Sequence, residues 1–183
     1  MIVRHDIRSI PTFLLALLFY TGFAQAQYSL FKKDAYYGIQ DEKGAIVVAP
    51  VYDQIGWSNG NFETVGNFVG YFHRGKWGLL NIKTKKISEA IYYKLSVIDG
   101  GNILASIKGN LSNQLFYGVI DSKGSIKISC NYFSIESKSL GYVVSTYDYG
   151  TIKKGFYDNE FNLILPPKYK EIRVVNEQVI MVQ

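Results

Sequence analysis

Few side chains in this sequence can do chemistry. It holds 2 histidines and 1 cysteine, too few to make a multi-histidine or cysteine–histidine metal centre. His5 lies in an N-terminal leader, which leaves His73 alone. A hydrolytic triad around His73 would need a nucleophile, and no serine sits in a Gly-x-Ser-x-Gly elbow. His73 is therefore read as a half-exposed strand residue. Two carboxylates suffice for glycoside hydrolysis, but Asp41, Asp121 and Asp158 recur at one place in a repeated phrase, which points to turn chemistry. Glu63, Glu89, Glu136, Glu171 and Glu177 show no paired spacing, and no glycine-rich phosphate loop is present. Cys130 has no second cysteine to join and is read as a small core side chain. The expectation is a protein that is not an enzyme and holds no metal or cofactor.

Aromatic rings are the richer resource, with 15 tyrosines, 11 phenylalanines and 2 tryptophans. Many recur in register and belong to a core. Tyr36, Trp57, Tyr93, Tyr147, Tyr149 and Tyr157 stand outside the shared positions. Of these, Trp57, Tyr147 and Tyr149 are the candidate partner-binding residues, since exposed rings anchor protein partners and stack on sugars.

The elements that must position these groups come from a repeat. Gly38, Gly78 and Gly118 lie 40 residues apart, and Gly155 follows 37 later. An aromatic precedes three of them: Tyr37, Trp77 and Tyr117. Three residues after each comes Asp41, Asn81, Asp121 or Asp158; 14 after comes Tyr52, Tyr92, Tyr132 or Tyr169; 17 after comes Ile55, Leu95, Ile135 or Ile172. Recurrence at fixed spacing is an internal repeat. Asp41 with Gly44, and Asp121 with Gly124, predict hairpin turns in which the aspartate bonds the backbone ahead and glycine turns left-handed. Thr84 and Phe161 replace that glycine in copies two and four, so those turns are expected to differ. Pro50 and Pro167 are expected to end strand pairing, with the following tyrosine and aliphatic residue docking on the next copy. Further strands are read at Tyr28 to Phe31, Val69 to His73, Ile103 to Ile107, Tyr142 to Thr146 and Gln178 to Gln183. Each copy thus supplies about three short strands, in an all-β, solenoid-like stack of about four units with partial capping strands.

Residues 1–26 are different in kind. A basic start, an apolar run from Thr12 to Phe23 and Ala24-Gln25-Ala26 read as a signal peptide cleaved after Ala26, leaving residues 27–183 as one β domain that is secreted or periplasmic. No stable membrane span is expected after cleavage, the run being shorter than a bilayer needs. The net charge of +5 falls to +4 without Arg4, Asp6 and Arg8. So mild a basic bias argues against a nucleic-acid partner.

The phrase resembles the WG-repeat proteins of bacteria. Trp77-Gly78 shows the family's aromatic-glycine pair literally, with Tyr37-Gly38 and Tyr117-Gly118 as variants. Asp41 with Gly44 and Asp121 with Gly124 match its turn, and Pro50 with Tyr52 and Pro167 with Tyr169 its closing piece. Lys154, Ala90 and Cys130 depart from the pattern. The resemblance implies an exported β-repeat scaffold with no catalytic residue set. The expected partner is a protein or cell-envelope component, with a glycan, held by a carbohydrate-binding module, as the alternative.

Overall fold

A computed structural model describes residues 28–110, 113–148, 150–175 and 178–182. The leader, Tyr149 and Gln183 lie outside the described residues. Sixteen β-strands form five consecutive antiparallel sheets. The first holds β1 (Ser29–Lys33), β2 (Tyr36–Gln40) and β3 (Ile46–Tyr52); the second β4 (Gln54–Ile55), β5 (Phe68–His73) and β6 (Lys76–Asn81). The third holds β7 (Lys94–Ile98), β8 (Asn102–Lys108), β9 (Leu115–Ile120) and β10 (Ile126–Tyr132). The fourth holds β11 (Ser134–Lys138), β12 (Gly141–Asp148), β13 (Thr151–Asp158) and β14 (Leu163–Tyr169), and the fifth β15 (Glu171–Val175) and β16 (Gln178–Val182). Among the described residues, no helix is long and apolar enough to cross a membrane.

Side chains alternate across a strand, and the interior sheets use both faces. Leu80 packs with Ile39 and Val69, while Leu79 packs with Leu95 and Ile103. Ile120 joins that second cluster, and its neighbour Val119 packs with Ile135 and Val144. Val143 turns the other way, onto Phe156 and Ile172. Four shared cores therefore separate five sheets in a stack. No sheet could bury its apolar faces alone.

The expected hairpins are present, and the strands read around positions 28, 69, 103, 142 and 178 all form. Two expectations need correction. First, the aliphatic residue after each tyrosine does not merely dock. Ile55, Leu95, Ile135 and Ile172 lie in β4, β7, β11 and β15, opposite Tyr71, Ala105, Val144 and Met181. The end of each phrase is thus the first strand of the next sheet, and two of the sheets have four strands. Second, Pro50 and Pro167 do not end pairing but sit inside β3 and β14 at a bulge. Ile39 pairs Val48, and pairing resumes at Tyr37 with Tyr52. Between these pairs three residues on β3 face the single Gly38 on β2. A proline cannot donate to the ladder, and the bulge is where no donation is asked of it. The same shift brings Tyr117 to Tyr132 and Lys154 to Tyr169.

In the first, third and fourth phrases the glycine is required by that bulge, whereas a methyl group on Gly78 would meet the Tyr71 ring at 2.6 Å. A methyl group built on Gly38 would lie 2.6 Å from the Val48 carbonyl oxygen, and one on Gly155 2.8 Å from that of Leu165. Only a residue without Cβ lets the bulged backbone come so close.

Candidate functional site

The repeat residues are brought together as packing groups. Tyr37, Trp77 and Tyr117 each pair with the closing tyrosine of their own phrase, Tyr52, Tyr92 and Tyr132. Trp77 and Tyr92 exchange backbone hydrogen bonds of 2.8 and 3.0 Å, and the indole packs on Phe72 with centroids 5.1 Å apart. Asp41, Asp121 and Asp158 are held by their turns: each Oδ1 accepts two backbone N–H groups, from Lys43 and Ala45, Lys123 and Ser125, or Glu160 and Asn162. The side-chain amide of Asn162 also bonds Asp158, holding its carboxyl below the usual range. The fourth turn matches the first and third despite Phe161, whose φ of 67° takes the glycine conformation. Its ring stacks on Tyr142 at 5.3 Å, a contact that offsets the strain. The second turn does differ, with Lys85 rather than Thr84 left-handed and one extra residue in the loop.

Trp57 is not a partner-binding residue. It is 1% exposed and belongs to the core between the second and third sheets. Its indole N–H donates to the Glu63 carbonyl at 3.0 Å, and its loop is pinned because Ser58 N–H reaches the Leu95 carbonyl at 2.8 Å while Leu95 N–H reaches Ser58 Oγ at 2.7 Å. A turn-rich sequence reads as surface, but this loop folds inward and feeds the ring into the gap between sheets. Tyr149 lies outside the described residues. Tyr147 is 57% exposed.

Tyr147 belongs to a row that recurs from sheet to sheet. The residue after each of the first three closing tyrosines donates its N–H to the next sheet: Asp53 to Phe72, Tyr93 to Ser106, Phe133 to Ser145. Its side chain then meets the far end of the same strand. In the second sheet, Asp53 Oδ2 lies 3.8 Å from His73 Nδ1 and accepts the Arg74 N–H at 3.2 Å. In the third, the Lys108 ammonium lies 4.6 Å above the Tyr93 ring. In the fourth, Phe133 packs on Tyr147 with centroids 5.9 Å apart and planes tilted by 32°, and Tyr147 faces Ile152 across the strand pair. One slot thus runs from a histidine–aspartate pair to a cation–π pair to an exposed apolar cluster. Phe133 escaped the sequence reading. Its signal was variability, since Asp53, Tyr93 and Phe133 differ while the tyrosine before each does not.

His73 has no serine partner in this arrangement and stands half-exposed beside Asp53. Cys130 takes the proline place in the third bulge, where Sγ donates to the Ala105 carbonyl at 3.7 Å and burial pushes the thiol up to about 11. So protonated a sulfur is a poor nucleophile. Among the described residues, no group of three or more histidine, cysteine or acidic side chains could hold a metal ion.

Residues 37–69 and 155–183 match the family described as WG containing repeat. The two matches bracket the stack, and the intervening copies keep the same pairing of aromatic and closing tyrosine. No curated protein matches the chain.

Proposed function

We propose that this chain, a member of the WG-repeat family, is an exported, non-enzymatic scaffold that binds a protein or cell-envelope component through the row of slots at the end of its sheets where β5, β8 and β12 turn into the following strand. The observation that carries the reading is the cluster of Phe133, Tyr147 and Ile152, exposed by 41, 57 and 45%, with Phe133 just ahead of β11 and Tyr147 paired to Ile152 across β12 and β13. Rings presented in this way are the usual anchors of protein interfaces, with charged groups placed to the side. The slots of the second and third sheets supply those charges in Asp53, Arg74 and Lys108. A sugar-stacking platform is favoured less, because Lys108 covers the Tyr93 ring and the Phe133–Tyr147 pair is tilted. The non-enzymatic reading is supported by Asp41, Asp121 and Asp158, each of which commits Oδ1 to its own turn.

The test is a photo-crosslinking residue at position 147 in the producing cell, with one at the equally exposed Ile46 as control. A discrete protein adduct from position 147 alone, on material whose mature N-terminus is Gln27, is the expected result. Identical adducts from both positions, or none from either, would overturn the docking row, and material that keeps Met1 would overturn export.

A further inference from the structure

The opposite end of the sheets carries a different feature. Between the β7–β8 turn of the third sheet and the β11–β12 turn of the fourth lies a polar cleft of about 490 Å³. That volume is in the range of small-molecule sites. Asp99, Asn102, Ser137, Tyr142 and Asn159 line it. At its base, Asn102 Nδ2 donates to Tyr142 Oη at 2.7 Å. Tyr142 is 3% exposed and its ring is stacked on Phe161, so the hydroxyl cannot swing away. Having accepted from Asn102, that hydroxyl keeps its own hydrogen, for which the described residues supply no acceptor. The second amide hydrogen of Asn102 is likewise unspent. Two fixed donors thus meet the cleft, and the Asp99 carboxylate stands there as an acceptor.

The Tyr142 ring packs in the core shared by the third and fourth sheets, but that packing makes no use of its hydroxyl. In register, Asn102 occupies the place of Phe68, and Tyr142 that of Val69 and Ile103. Neither place is uniform across the copies, Gly141 standing at the first and Ser29 at the second, and the polar atoms of Asn102 and Tyr142, on neighbouring sheets, meet in one hydrogen bond. Charge narrows the ligand. Lys138, also in the lining, is drawn to Glu136 at 3.0 Å, so no unopposed cation awaits an anion. Rigid donors beside a carboxylate suit vicinal hydroxyls, each of which accepts from one and donates to the other. We infer that the cleft is a binding site for a neutral saccharide, recognised by hydrogen bonds rather than ring stacking and independent of the docking row.

The experiment is calorimetric titration of the full mature chain with a panel of neutral mono- and oligosaccharides, with inorganic phosphate and a uronic acid as anionic arms. At least one neutral sugar is expected to bind. Tyr142→Phe, which keeps the stacked ring and removes the hydroxyl, and Asp99→Asn should each weaken it about tenfold or more, the scale of one well-placed hydrogen bond. Thermal melts of both variants should stay close to the parent, and Tyr147→Ser should bind the sugar normally. No binding across the neutral panel, undiminished binding by Tyr142→Phe, or preference for the anionic arms would overturn the site.

Discussion

Cys130 shows how a residue can look chemical and be structural. It stands where two other copies carry proline, and its thiol is raised to about 11 by burial. At pH 8 only on the order of a thousandth of it is thiolate. Ellman's reagent should therefore label native protein slowly and denatured protein at once; equal rates would place the sulfur at the surface. The linkage has a definite sign. A folded-state value above the unfolded one stabilises fully at pH below the unfolded value, and the contribution is lost as pH rises toward 11. The melting temperature should decline from about pH 9 upward, less steeply in Cys130→Ala. Burial raises the hydroxyls of Tyr52, Tyr71, Tyr92 and Tyr142 in the same sense, so a residual decline remains in that variant.

At the scale of elements, the aromatic-glycine slot is where packing and function were easiest to confuse. Trp77 is buried and pairs with Tyr92, so removing its ring leaves a cavity between two sheets. Trp77→Ala should cost roughly 3–5 kcal/mol, and Trp77→Tyr far less, since Tyr37 and Tyr117 fill the equivalent slots. Thermal unfolding compares them, and a parent-like melt for Trp77→Ala would mean the ring is not packed. The spacing of glycine, aspartate and tyrosine made the hairpins, the turns and the strand positions legible. The bulges were not legible, because a proline reads as a stop unless one knows that pairing resumes two residues later. Nor was the burial of Trp57, which depends on Ser58 meeting Leu95 in another unit, 37 positions away. The Phe133–Tyr147 cluster and the Asn102–Tyr142 pair also join residues from different copies. Periodicity within a phrase cannot show which residues meet between phrases.

At the scale of the molecule, each phrase belongs to two sheets, and four cores are shared between five sheets in an open stack. Such a body is quasi-one-dimensional, and its stability is a sum of unit and neighbour terms. Sheets two, three and four have partners on both faces, whereas β1 and the β15–β16 pair lie at the ends. Local opening should start where a neighbour is missing. The most direct measurement is native-state amide hydrogen exchange resolved by strand. Protection should be greatest in β5, β6, β8, β9, β12 and β13 and should fall toward β1 and β16. Equal protection from end to end, or slowest exchange in the terminal strands, would contradict the open stack.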